Sequence, residues 1–213
     1  MKDLSNYRRS YEKGELAEGV IPEDPIMLFA LWFNQTEETA GAGEVNTMTL
    51  STCAADGSVH ARIVLLKQFS AEGFTFFTNY GSQKARDIEH APNVCLSFFW
   101  PTLERQVIVT GIAEKVSALE SDDYFATRPR GSQLGAWASN QSEEVCSREV
   151  FEKKLHELEL AYADKPIPRP PHWGGYLVRH ETIEFWQGRP NRLHDRILYV
   201  QDQGLWRARR LSP

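Results

Sequence analysis

Between Thr47 and Val116 the chain reads as a series of short strands, most of them joined by tight hairpin turns. Thr47 to Cys53 is rich in threonine and apolar residues. Asp56-Gly57 follows, and both central positions of a type I′ turn need positive φ, which this pair tolerates. VHARIVLLK (Val59 to Lys67) is the return strand. Glu72-Gly73 marks another turn, and FTFFTN (Phe74 to Asn79) another strand. VCLSFFW (Val94 to Trp100) and RQVIVTGIAEKV (Arg105 to Val116) form a further hairpin across Pro101-Thr102. Later, GYLVRHETIEFW, RILYV and LWRARRL bring the set to about eight strands. Strands joined this closely are antiparallel. With helices between them, they predict an α+β protein built on a β-barrel. No GxGxxG follows a strand and no GxxxxGK[ST] is present, which argues against a Rossmann domain or a P-loop.

The helices have their own signals. Asp24 can accept from the free amides of a first turn and Pro25 loses nothing at the first helical position, so a helix runs from there to about Thr36. SQKARDIEHAPN reads as a short helix stopped by Pro92. Ser117-x-x-Glu120 is a capping box, and its helix ends near Arg128-Pro129. Ser147 to Tyr162 is a further helix, with Phe151, Leu155, Leu158 and Tyr162 on one face. The proline-rich DKPIPRPPHW is extended and crosses within the domain, since strands resume at once. Residues 1–22 are polar and irregular. They predict a flexible N-terminal segment ahead of a single domain over residues 23–213.

Charge and cysteine usage narrow the function classes. With 24 Lys+Arg against 29 Asp+Glu, the net charge of -5 speaks against nonspecific nucleic-acid binding. Cys53, Cys95 and Cys146 are odd in number and scattered, so neither a disulfide framework nor a metal site is expected. The N-terminus lacks the apolar core of a secretory signal. The longest apolar run, Ile26 to Phe33, is too short for a bilayer. A soluble, cytoplasmic protein without a membrane partner is expected.

Against that acidic background, cations gather locally. EFWQGRPNRLHDR (Glu184 to Arg196) holds three arginines, a histidine and a tryptophan. Trp186 can cover a flat ring. Arg192, His194 and Arg196 alternate, so an extended backbone would put them on one side, with Asp195 opposite, pairing with a nearby arginine. In TNYGSQKARD, a strand end and a Gly-Ser turn lead into a helix start with Lys84. Free amides and a lysine there suit a phosphate. Tyr124, Arg128, Ser132 and Lys67 would form a second phosphate site if the fold gathers them. Arg62 and Lys67 fall on opposite faces of a regular strand. Glu104 and Arg105 read as a turn residue and an edge charge. Gln106 can point inward, and Gln141-Ser142 adds two polar side chains.

RIVLLK, FFTNYGSQKA, TLERQV, YFATRPRGSQLGAWAS, NQS, WGGY, IEFWQG, RLHDR and RRLSP, in this order, resemble the pyridoxine/pyridoxamine 5′-phosphate oxidase family over about Tyr7 to Pro213. The resemblance implies a split β-barrel homodimer with FMN in clefts at the subunit interface. It assigns the FMN phosphate to Arg62 and Lys84, beside Gln83. It lines the flavin site with Ile63, Val64, Leu65, Leu66, Lys67, Phe77 and Thr78, and completes it with Gln106, Gln141, Ser142, Trp186 and Arg196. It gives the substrate phosphate to Lys67, Tyr124, Arg128 and Ser132, and places Arg192 and His194 against the pyridine ring as the catalytic pair. Arg8, Arg9 and Tyr11 match a segment that folds over the site. The implied reaction oxidises pyridoxamine or pyridoxine 5′-phosphate to pyridoxal 5′-phosphate: hydride leaves the 4′ carbon for flavin N5, and dioxygen becomes hydrogen peroxide. Three positions depart from the family pattern. Gln83 stands where arginine is usual, a loss of about 1–2 kcal/mol in cofactor binding if nothing compensates. Phe77 replaces a tyrosine, and Ser10 an acidic residue. Other functions of such a barrel are flavin reduction with a different electron partner and flavin or haem storage.

Overall fold

The computed structural model describes residues 2–213. Its nine strands are β1 (Thr47–Cys53), β2 (Val59–Leu65), β3 (Gln68–Ser70), β4 (Gly73–Asn79), β5 (Asn93–Trp100), β6 (Arg105–Lys115), β7 (Trp173–Gln187), β8 (Asp195–Asp202) and β9 (Leu205–Leu211). They form one sheet in the order β2-β1-β5-β6-β7-β4-β3, with β8 pairing β7 and β9 pairing β8. The helices are α1 (Pro25–Glu37), α2 (Gln83–His90), α3 (Ala118–Thr127), α4 (Arg130–Ala138) and α5 (Glu149–Ala161). This is the expected α+β split-barrel class. Among the described residues no helix is long and apolar enough to cross a membrane.

Contacts cluster in two compact units. Of the described residues, the first comprises 2–50, 95–111 and 180–213. Its core is aromatic: Phe29 of α1 meets Phe98 of β5 at 5.1 Å, and Trp32 meets Phe185 of β7 edge-on at 5.2 Å. Asp24 caps α1 by accepting from the Ile26 amide at 2.8 Å. In this unit β7 pairs antiparallel with β8, Thr182 opposite Val200 through Gln187 opposite Asp195.

The second unit comprises residues 51–94 and 112–179. Here β4 pairs with β7, Phe74 opposite Val178 through Asn79 opposite Trp173. Ser117 caps α3, accepting from the Glu120 amide at 3.1 Å. Phe125, Leu134, Ile167 and Trp173 form a buried cluster, and Leu155, Leu158 and Tyr162 of the α5 segment pack on it as the helical spacing predicts.

Two expectations needed correction. The return strand does not run through Lys67. It ends at Leu65, Leu66 turns into the core at 4% exposure, and the Lys67 amide pairs with Thr75 O at 2.8 Å. The added short strand β3 makes nine strands where about eight are expected. Residues 130–138, past the expected helix end near Arg128-Pro129, form a further helix, α4. Pro129 at its N-cap and the buried Leu134 and Ala138 set this helix, a signal masked by Gly131 and Gly135.

Candidate active site

The second unit encloses a cavity of about 1140 Å³. One wall is β2 and its continuation: Val59, His60, Ala61, Arg62, Ile63, Val64, Leu65 and Lys67 all line it. The strand break after Leu65 explains how Arg62 and Lys67 reach the same space although a regular strand would separate them. Phe77, Thr78, Gln83, Lys84, Tyr124, Arg128, Ser132, Gln141 and Ser142 complete the predicted residues on its lining. Leu66 is not among them.

One cationic cluster gathers at the start of α2. Lys84 is only 7% exposed, yet its partners are neutral: it donates to Gln141 Oε1 at 3.0 Å and Ser82 Oγ at 3.3 Å. Burial, then the Arg62 charge, push its pKa down to about 8. The Gln83 amide donates to Ser142 Oγ at 3.2 Å, which ties the 141–142 loop to the helix start. Arg62 donates to Thr52 Oγ1 at 2.7 Å and lies 3.7 Å from Asp87. Its pKa is lowered by burial, with Asp87 opposing. Asp87 in turn accepts from Thr52 at 2.6 Å and pairs with His60 Nδ1 at 3.1 Å. Burial raises the Asp87 carboxyl, but those hydrogen bonds and the charges of His60 and Arg62 outweigh it and leave it below the ordinary value.

A second cluster forms at the junction of α3 and α4. Arg128 lies over Trp173 at 4.6 Å and Phe125 at 5.6 Å. Its Nη1 is buried with no hydrogen-bond partner among the described residues, and burial lowers its pKa. A buried guanidinium N–H left unmatched is unusual and marks an anion-accepting position. Tyr124 stacks on Phe77 at 3.9 Å, and Phe77 on Trp173 at 5.6 Å, so aromatic faces hold this end rigid. Gly175 allows it: a Cβ there would sit 2.8 Å from Phe77 Cε1.

The remaining predicted residues belong to the first unit and do not line this cavity. Trp186 and His194 pack at 4.6 Å, with Tyr11 edge-on to Trp186 at 5.8 Å. Residues 192–194 are not extended, contrary to the alternation argument. Pro190–Arg192 is a 3₁₀ turn with Asn191 and Arg192 at φ 57° and 61°. His194 Nδ1 accepts from the Arg189 amide at 3.1 Å, and burial, then Arg192, lower its pKa against Asp195. Arg192 is exposed. Arg196 is held by Glu184 in a two-point pair at 2.7 and 3.1 Å. Asp195 pairs with Arg210 at 2.7 Å, as its expected arginine partner. Gln106 is half-buried on β6. Arg8 is exposed, and Arg9 approaches Glu104 at 3.8 Å. Glu104 lies in the turn as expected, at φ 56°, but is buried. Arg105 is no edge charge: it lies 4.4 Å over Trp32, with burial pushing it down to about 10.

Two cavity residues, His60 and Trp173, and Asp87 behind the cavity wall were not legible as site residues in the motifs. His60 and Arg62 share a side of β2 by simple i, i+2 alternation. Asp87 shares the buried side of α2 with Lys84 at helical spacing. Trp173 is legible only through the WGGY resemblance.

Residues 36–162 match the family described as pyridoxamine 5′-phosphate oxidase, and residues 173–213 match the pyridoxine 5′-phosphate oxidase C-terminal dimerisation region. The chain is 59% identical over 213 residues, covering all of both chains, to a Flavobacterium johnsoniae protein named pyridoxine/pyridoxamine 5′-phosphate oxidase. Its structure is similar to PhzG from Burkholderia lata, solved with tetrahydrophenazine-1-carboxylic acid: TM-score 0.86, 28% identity, 92% of this chain and 95% of that one. A Nostoc punctiforme FMN-binding protein shares the fold at TM-score 0.69 and 17% identity, over 91% of this chain and 99% of that one.

Proposed function

The chain belongs to the pyridoxine/pyridoxamine 5′-phosphate oxidase family, and on that premise we propose how its cavity performs the oxidation. It converts pyridoxamine and pyridoxine 5′-phosphates to pyridoxal 5′-phosphate, with FMN as cofactor and dioxygen as acceptor. The observation that carries the reading is the pair of under-neutralised cationic clusters on one cavity: Lys84 with neutral hydrogen-bond partners, and Arg128 with an unmatched buried N–H. Two phosphorylated rings need two such seats. The donor set fits a phosphate at each: a lysine, an arginine and a hydroxyl at one, a lysine, an arginine and two hydroxyls at the other.

FMN, when bound, supplies two-electron acceptance from the 4′ carbon and return to dioxygen. The chain supplies alignment. Arg62, Lys84, Gln141 and Ser142 hold the cofactor phosphate, with Gln83 beside them. Ile63, Val64, Leu65, Phe77 and Thr78 give it an apolar and polar lining. Lys67, Tyr124, Arg128 and Ser132 hold the substrate phosphate. Trp186, Arg192, His194 and Arg196 lie in the matched dimerisation region. A second copy in a homodimer brings them, with Gln106, to the cavity, where Arg192 and His194 orient the substrate ring. Arg8, Arg9 and Tyr11 cover it. A storage function leaves the Arg128 cluster without use, which favours the oxidase.

The purified protein should show a flavin visible spectrum. Added pyridoxamine 5′-phosphate in air should then yield aldehyde and peroxide. A yellow protein yielding neither would eliminate the oxidase and keep the barrel.

A further inference from the structure

Glu104, read from sequence as a turn residue, joins two segments. It sits between β5 and β6 at φ 56° with 3% exposure. Its Oε2 accepts the backbone N–H of Glu12 at 2.8 Å and of Lys13 at 3.1 Å, and Oε1 lies 3.8 Å from Arg9. Its own carbonyl accepts the Gly188 amide at 2.8 Å and Gln187 Nε2 at 3.3 Å. Lys13 Nζ adds a bond to Thr102 O at 2.6 Å in the same turn. The side chain therefore fixes residues 9–13, while the main chain fixes the end of β7.

Tyr11 lies between these attachments, edge-on to Trp186 and 5.9 Å from His194. The fit is close: a Cβ on Gly188 would sit 2.8 Å from Tyr11 Cβ. An ionised carboxylate only accepts, so it suits two adjacent amide donors and a guanidinium. We propose that Glu104 is a positioning residue, which docks the N-terminal segment on the Trp186–His194 corner and thereby sets Tyr11 against His194. The consequence for catalysis rests on the oxidase reading; the docking does not.

The test uses the flavin-loaded full chain carrying Glu104→Gln, Tyr11→Ala, or both. Glutamine keeps the shape and can still accept from both amides with its one oxygen, but it removes the charge and turns its NH2 toward Arg9. Tryptic cleavage after Arg8, Arg9 and Lys13 should accelerate about tenfold, the scale of one charge-assisted bond, with cleavage elsewhere and Tm unchanged. KM for pyridoxamine 5′-phosphate should rise several-fold with Glu104→Gln, and adding that change to Tyr11→Ala should raise it no further. Unchanged N-terminal cleavage overturns the proposal, as does faster cleavage along the whole chain with a lower Tm, or additivity in KM. Faster N-terminal cleavage without turnover in either protein sinks the oxidase reading and leaves the docking intact. Should the glutamine variant not fold, Glu104→Asp, one methylene short, is read by the same outcomes.

Discussion

Replacing Lys84 with methionine should stabilise the flavin-free protein while weakening flavin binding. The buried ammonium is held down to about 8 from an ordinary 10.5. At about 1.4 kcal/mol per pH unit, the folded protein carries a penalty of roughly 3 kcal/mol while the lysine is charged. Methionine removes that penalty but also the bonds to Gln141 and Ser82, so the expected net gain at pH 7 is about 1–2 kcal/mol. The sign of the pH dependence is fixed. Below pH 8 folded and unfolded chains both hold the proton, and the penalty is constant. Between 8 and 10.5 the unfolded chain holds more protons, so wild-type stability rises with pH. The advantage of the variant should therefore shrink by about 2 kcal/mol from pH 8 to pH 10. Thermal unfolding of the flavin-free proteins at one concentration reads this at about 2–4 °C per kcal/mol. Flavin fluorescence quenching should show FMN affinity lowered about 10- to 100-fold. A variant less stable at every pH, or two stability curves running parallel from pH 7 to 10, would refute the reasoning.

Other expectations are simpler. Arg128→Met should raise KM for pyridoxamine 5′-phosphate about 100-fold, as expected for losing charge-assisted contacts, and leave FMN content unchanged; steady-state rates and the visible spectrum test both. Arg192→Ala should lower kcat/KM far more than FMN content, and equal loss of both would remove its assigned role. Gly175→Ala would drive a Cβ to within 2.7 Å of Val116 and 2.8 Å of Phe77. It should cost about 1–3 kcal/mol in thermal unfolding and disturb the Tyr124 stack.

Local rules determined much of this protein. The Asp24 and Ser117 caps, the turn dipeptides and the apolar face of α5 are short-range signals, and the helices and hairpins they predict are present, although at Asp56-Gly57 only Gly57 takes the positive φ, 84°, that a type I′ turn needs at both positions. Long motifs likewise made the family legible, because a site built from contiguous runs leaves its residues in contiguous runs. Other features depended on distant neighbours. The break after Leu65 is set by pairing of the Lys67 amide with Thr75, eight residues on. The burial of Glu104 is set by amides more than ninety residues away. Lys84 looks like any helix-start lysine until burial and the Arg62 charge surround it. A charge announces its type in sequence, but its solvation and its partners are long-range quantities, and those decide whether it is surface, anchor or anion seat.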